Sequence, residues 1–326
     1  MRIAILGAGA WGTALALAFA PRHAIALWTL EPEHAAAMLA MRENKRFLPG
    51  HALPPDIAIG ADIAATLQDA DLAVIATPVA GLRPTLEALG RHAPGLPFVW
   101  VCKGLEAESG LLPHQVVDAT LHDARCGVLT GPSFAEEVAR GQPTAVTLAA
   151  RDAAFAREWA QVLHAPRLRI YANDDLVGAE VGGAVKNVLA IATGICDGLG
   201  LGLNARAALL TRGLAEITRF GVALGAKRET FMGLAGLGDL ILTCTGDLSR
   251  NRRVGLALAA GKPLAVIARE LGHVAEGVPT TREVARRAVL LRIDMPITAA
   301  VCDILEGRIG PAEVVDRLMN RDQKAE

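Results

Sequence analysis

A chain of 326 residues, 52% hydrophobic and 21% charged, is longer than one ordinary core and too apolar for disorder, so two globular domains are expected. With 33 basic against 34 acidic residues the net charge is −1, which excludes a global basic field for nucleic acid or an anionic membrane; any anionic ligand must be held locally. The five cysteines, Cys102, Cys126, Cys196, Cys244 and Cys302, contain no Cys-x-x-Cys pair, which indicates neither a disulfide frame nor a zinc knuckle and fits a reducing compartment.

The first predicted element is a strand, Arg2 to Leu6. Arg2 and the apolar run to Ala20 superficially imitate a signal peptide, but Gly7, Gly9 and Gly12 would weaken such a helix and fall instead where a strand turns sharply into one. Gly7-Ala8-Gly9-Ala10-Trp11-Gly12 is a complete G-x-G-x-x-G between that strand and a helix predicted over Trp11 to Ala20. The first glycine permits the turn, the second lets backbone approach a pyrophosphate, and the third allows close helix packing, with the helix N-terminus facing the negative charge. A second strand, Ala24 to Trp28, runs into Thr29-Leu30-Glu31. At that place an acid meets the ribose hydroxyl of NAD and a base the phosphate of NADP, so Glu31 favours NAD unless it is merely an acid leading the next helix, Glu33 to Arg42.

Strands at Leu72 to Ala76, Phe98 to Cys102, Gly127 to Thr130, Ala145 to Ala149 and Leu168 to Tyr171, with helices at Gly81 to His92 and Pro113 to Leu121, complete an alternating pattern. The fold class expected is α/β: an N-terminal Rossmann-type, doubly wound, mostly parallel sheet followed by an all-helical C-terminal domain. From about Asp175 the strand-like runs stop, which sets a dinucleotide-binding domain at 1–178 and a helical substrate-binding domain at 179–326, with the cleft between them as the expected site. The apolar stretch from Val188 is bracketed by Lys186 and Asp197, too short for a bilayer, and no membrane insertion is expected.

Among six lysines, two stand out: Lys103 ends an apolar strand and Lys186 interrupts a small, Gly-rich apolar run. A partly desolvated lysine can release a proton where arginine cannot; a buried lysine neutralised by a carboxylate is the equally available structural reading. Further on, Gly236-Leu237-Gly238-Asp239-Leu240 leads to Ser249-Arg250-Asn251-Arg252-Arg253. Ser249 suits an N-cap, which would place Arg250 and Asn251 in a first turn beside open backbone N–H groups, a small phosphate site. A solvated arginine cluster is the default reading for Arg252 and Arg253.

These segments resemble the bacterial NAD(P)-dependent glycerol-3-phosphate dehydrogenase family over nearly the whole chain: GAGAWGTALA at 7–16, KGLE at 103–106, GPSFAEEVARGQPTAV at 131–146, GGAVKNVLAI at 182–191, TRGLAEITR at 211–219, GLAGLGDLILTCTGDLSRNRRVG at 233–255, EG at 276–277 and MPIT at 295–298. The resemblance implies reduction of dihydroxyacetone phosphate to sn-glycerol 3-phosphate for phospholipid synthesis, with NAD or NADP and no metal, often as a homodimer. It implies Lys186 as proton donor or acceptor, substrate contacts at Lys103, Gly131, Ser133, Lys186, Asp239, Ser249, Arg250 and Asn251, and dinucleotide contacts at Ala10, Trp11, Lys103, Ala135, Arg250, Val274 and Glu276, beside the glycines and Glu31. On this reading Lys103 would lower the proton affinity of Lys186 while Asp239 holds and orients it.

Two positions depart from the family pattern: Ala10 replaces a common serine, and Leu30 stands where histidine or arginine is frequent. With Glu31 expected to repel a ribose phosphate, NADH should serve at least as well as NADPH. The competing readings are a two-domain hydroxy-acid or sugar-acid dehydrogenase, whose carboxylate substrate an arginine also suits, and a dinucleotide sensor without turnover, which has no use for Lys186.

Overall fold

The structure, a computed structural model, describes residues 1–271 and 275–320. Two compact units divide it: residues 1–103 with 111–180, and residues 104–110 with 181–326.

The first unit is built on strands β1 (Arg2–Leu6), β2 (Ala24–Trp28), β3 (Glu43–Asn44), β4 (Leu48–Ala52), β5 (Ala58–Gly60), β6 (Leu72–Ile75), β7 (Phe98–Trp100), β8 (Cys126–Thr130), β9 (Thr144–Ala149) and β10 (Leu168–Asn173). Eight of them form one sheet in the order β10-β9-β8-β7-β6-β1-β2-β5, and β3 and β4 pair as a separate hairpin. Every neighbouring pair in the large sheet is parallel except β8 and β9. Taken from β5 to β8, the order reverses between β1 and β6; in a doubly wound sheet the ligand crevice lies outside the strand ends at such a reversal. The expected doubly wound, mostly parallel sheet is therefore present.

Helices cover both faces, so the central strands carry unbroken apolar runs rather than alternating ones: Ile3 to Leu6 and Leu72 to Ile75 are all 0% exposed. The edge strand β5 was not anticipated, because its three residues contain a single large buried side chain, Ile59. Nor was the helix Ala153–Val162, which Asp152 caps by accepting from Ala154 N at 2.8 Å and which buries Phe155 and Trp159.

A buried carboxylate fixes the end of this unit. Glu180 accepts from Trp100 Nε1 at 3.0 Å and from His114 N at 2.9 Å, and pairs with His114 Nδ1. Burial pushes its carboxyl above the usual range while the contacts with His114 hold it down.

In the second unit every described element is helical. Its spine is the 23-residue helix Leu176–Gly198, whose apolar content is that of a bilayer span but whose apolar window is 94% buried in protein, so it is a core helix. Glycines let its neighbours approach backbone to backbone. A methyl added at Gly255, in the helix Arg250–Ala259, would lie 2.7 Å from Ile195 N and 2.8 Å from Gly194 Cα. Another buried acid, Glu216 of the helix Gly202–Ala223, accepts from Ile297 N at 2.6 Å and from both N and Oγ1 of Thr298 at 3.1 Å. It thereby caps the helix Pro296–Leu305, whose own N-cap, Met295, supplies no side-chain acceptor.

Candidate active site

The glycine loop joins β1 to the helix Ala10–Phe19. Gly7 has φ +127°, and a Cβ there would sit 2.7 Å from the Ala76 carbonyl carbon and 2.9 Å from Thr77 N. At Gly12 a Cβ would run into the Gly7 carbonyl oxygen, so both positions are closed to side chains. Gly9 differs: a Cβ there would meet nothing within 4 Å, and as the helix N-cap it gives the first turn no side-chain acceptor. Open space beside an uncapped helix N-terminus is the cradle a pyrophosphate requires, so these residues fit a nicotinamide dinucleotide. Ala10 and Trp11 lie half-buried in the first turn of that helix, with Trp11 packed against the core.

What holds the loop was not evident from its sequence. Asn44, 0% exposed, donates from Nδ2 to the Ala8 carbonyl at 2.9 Å and to Thr13 Oγ1 at 2.8 Å. Its Oδ1 lies 3.1 Å from His34 Nε2, and His34 Nδ1 lies 3.2 Å from Thr29 Oγ1. Thus β3 and the end of β2 are bonded to the loop through one buried polar network. Glu31, beyond β2, is exposed and paired with Arg46 at 2.6 Å, which removes the isolated acid that the expected repulsion of a ribose phosphate assumed. Leu30 is 77% exposed.

Elsewhere in the first unit, Lys103 Nζ donates to the Gly131 carbonyl at 3.0 Å, and Ser133 Oγ donates to the same oxygen at 2.9 Å. Gly131 takes φ +135° against Val146, whose Cα would lie 3.1 Å from an added Cβ. Ala135 opens the short helix Ala135–Ala139 and is half-buried.

In the second unit, Lys186 is 6% exposed in the middle of the spine helix. Its ammonium pairs with Asp239 Oδ1 and donates to Thr243 Oγ1 at 2.8 Å. Asp239 is 1% exposed, and Thr243 Oγ1 in turn donates to the Asp239 carbonyl at 2.7 Å. The lysine is therefore a buried, charge-balanced ammonium held by two side chains of the helix Asp239–Thr245. Thr243 was not singled out from the sequence. Nearby Cys244 is pushed up to about 12 by burial, which keeps it a neutral thiol.

Ser249 is the N-cap of the helix Arg250–Ala259, its Oγ accepting from Arg252 N at 3.3 Å. The arginines after it divide. Arg252 pairs with Asp197 at 2.9 Å and Asp247 at 2.9 Å, and Arg253 Nε donates to the Asp247 carbonyl at 3.1 Å, so both serve the local structure. The Arg250 side chain is exposed and makes no hydrogen bond or ion pair among the described residues. The Asn251 amide is already engaged: Nδ2 donates to Asn187 Oδ1 at 2.9 Å and Oδ1 accepts from Gly277 N at 3.0 Å, which ties this helix start to the spine helix and to the helix Gly277–Leu290. Glu276 is the N-cap residue of that last helix, and Val274 lies outside the described residues. Among the described residues, no group of three His, Cys, Asp or Glu is placed to hold a metal ion.

Comparison with known proteins covers the whole chain. Residues 2–156 match the model of the NAD-dependent glycerol-3-phosphate dehydrogenase N-terminus, and residues 175–316 that of its C-terminus. The glycerol-3-phosphate dehydrogenase (NAD(P)+) of Dechloromonas aromatica (strain RCB) is 64% identical over 327 residues, covering 100% of this chain and 99% of the relative. That of Aromatoleum aromaticum is 61% identical over 328 residues, covering 100% of both. Among solved structures, glycerol-3-phosphate dehydrogenase from Coxiella burnetii superposes with a TM-score of 0.94 at 42% identity, covering 98% of this chain and 99% of that one. The chain thus belongs to the NAD-dependent glycerol-3-phosphate dehydrogenase family and is an NAD(P)-dependent enzyme of that type.

Proposed function

We propose that this enzyme interconverts dihydroxyacetone phosphate and sn-glycerol 3-phosphate, with Lys186 moving the proton and the Ser249–Asn251 helix start holding the phosphoryl group. The observation that carries the reading is the occurrence, within one helical unit, of a buried ammonium fixed by Asp239 and Thr243 and of an arginine, Arg250, whose guanidinium no described residue engages, at a capped helix start. The dinucleotide supplies or accepts the hydride. As the ketone oxygen gains charge, the Lys186 ammonium stabilises it and donates a proton; in the reverse direction the neutral amine removes the proton of the secondary alcohol. Asp239 and Thr243 keep Nζ in one place, so no reorganisation of the amine is needed at the reacting oxygen. Arg250 and the first-turn N–H groups bind the phosphoryl end, which favours a phosphate monoester over a hydroxy acid.

On the same family correspondence, Lys103, Gly131, Ser133, Asp239, Ser249 and Asn251 are the further substrate contacts. Gly7, Gly9, Ala10, Trp11, Gly12, Glu31, Lys103, Ala135, Arg250, Val274 and Glu276 are the dinucleotide contacts. The division of labour proposed is a dinucleotide domain over 1–178 and a substrate domain over 179–326, in a cytoplasmic homodimer that supplies glycerol 3-phosphate for phospholipid synthesis. The test is the loss of NADH or NADPH absorbance on adding dihydroxyacetone phosphate, with Lys186→Met as the control. Substrate-dependent oxidation in the wild type that falls by about 100-fold or more in the variant is expected. Dinucleotide binding without oxidation in the wild type would favour a sensor instead.

A further inference from the structure

Glu31 follows β2 at the position where dinucleotide-binding sheets read the adenosine ribose, yet it does not stand alone there. Its Oε2 is 2.6 Å from Arg46 Nη1, and the two side chains are 54% and 49% exposed, so a ligand can reach both. Arg46 is no loose surface cation. Its guanidinium lies over the Phe47 ring, 4.8 Å from the centroid, and Phe47 packs edge-on against His34 at 5.2 Å. His34 belongs to the buried network of Thr29 and Asn44 that holds the glycine loop. Acid and base are thus both referenced to the backbone that would carry the pyrophosphate.

We infer that Glu31 and Arg46 form a two-way reader of the cofactor's ribose, so that one site accepts both dinucleotides. With NADH, Glu31 accepts a hydrogen bond from the 2′-hydroxyl while Arg46 stays paired. With NADPH, Arg46 turns from Glu31 to the 2′-phosphate and makes the planar, paired contacts that guanidinium offers to phosphate. An exposed ion pair is weak, so exchanging its partner costs little, and neither cofactor is strongly excluded. Glu31 by itself would reject the phosphate; Arg46 is the residue that reverses this. The inference rests on the dinucleotide-binding half of the proposed function and is independent of the reaction.

It is tested by titrating NADH and NADPH fluorescence on the full-length protein without substrate, for the wild type, Arg46→Ala, Glu31→Gln and Lys45→Ala. Lys45 is an adjacent exposed cation and controls for general charge. Arg46→Ala should weaken NADPH by about tenfold or more and NADH by less than about threefold. Glu31→Gln should weaken NADH several-fold, to roughly the extent of one lost charged hydrogen bond, and spare NADPH. Lys45→Ala should leave the ratio unchanged, and added salt should weaken NADPH more than NADH. Equal effects of Arg46→Ala on both cofactors, or none on NADPH, would overturn the reader. A wild type that binds both dinucleotides with this pattern but oxidises neither on adding dihydroxyacetone phosphate would leave the reader standing and sink the proposed reaction.

Discussion

Replacing Gly255 by alanine tests the packing and the site together. In an exposed helix interior this exchange stabilises by about 1 kcal/mol. Here the added methyl would lie 2.7 Å from Ile195 N and 2.8 Å from Gly194 Cα, and closer still to the Ile191 carbonyl oxygen. All three are backbone atoms of the buried spine helix, which cannot swing aside as a side chain would. The two helices must part by roughly 1 Å, a gap that forfeits a quarter to a half of the dispersion energy of every pair across it. Overpacking of this kind costs about 1–3 kcal/mol or more, so the helix-propensity gain is outweighed and a net loss of up to about 2 kcal/mol follows. The displaced helix begins at Ser249 and Arg250, while the spine helix carries Lys186. A shift of about 1 Å between the proposed phosphate grip and the proposed proton donor should lower kcat/KM for dihydroxyacetone phosphate by about 100-fold. NADH affinity should fall by less than kcat/KM does, because, of the proposed dinucleotide contacts, only Arg250 lies on the displaced helix. The assays are thermal unfolding followed by helical circular dichroism, steady-state oxidation of NADH, and NADH fluorescence titration. A variant that melts higher than the wild type and keeps full activity would refute the reasoning.

With NADH saturating, so that its proposed contact with the dinucleotide does not enter, Arg250→Ala should lower kcat/KM for dihydroxyacetone phosphate by about 10- to 100-fold, the worth of hydrogen bonds to a charged group, and leave unphosphorylated dihydroxyacetone unaffected. Equal losses with both substrates would remove Arg250 from phosphate binding. Glu216→Ala leaves the N–H groups of the buried residues Ile297 and Thr298 without their acceptor, at about 1–3 kcal/mol each, so denaturant unfolding should show a loss of about 2–6 kcal/mol. Because burial raises the Glu216 carboxyl above the ordinary glutamate range, the folded state binds more protons than the unfolded one as pH rises from that range. Its contribution is therefore complete below the unfolded value and declines as pH climbs through the raised folded value; unfolding curves of Glu216→Gln against pH should lack this decline.

The central strands and the glycine loop were legible because their signals are local. A strand buried on both faces must be continuously apolar, and the turn from β1 into the first helix needs glycine at Gly7 and Gly12, where any Cβ would strike backbone. The N-cap at Ser249 is legible for the same reason. Edge strand β5 and the hairpin of β3 and β4 carry too little apolar pattern to announce themselves. The side chains that position the site were invisible because their partners are remote in sequence. Asn44 serves a carbonyl 36 residues earlier, Lys186 reaches Thr243 over 57 residues, and Glu180 meets His114 over 66. Buried charges reveal themselves only when tertiary contacts supply their counterparts. Arg252 shows the converse: adjacent in sequence to the proposed phosphate site, it is committed to Asp197 and Asp247.

Residues 104–110 leave the first unit and dock on the helix Gly277–Leu290. Glu283 Oε1 accepts from Glu108 N at 3.2 Å, Arg286 donates to the Glu108 carbonyl at 3.2 Å, and Arg287 donates to the Gly110 carbonyl at 2.7 Å. The polypeptide therefore crosses over, returns, and crosses again at residue 180. Severing the gene at that second crossing would strand the loop on an N-terminal fragment with no helix to receive it, and would hand the C-terminal fragment two arginines whose carbonyl acceptors had gone elsewhere. Co-expressed halves should recover only by reassociating around this seven-residue graft, never as independent modules.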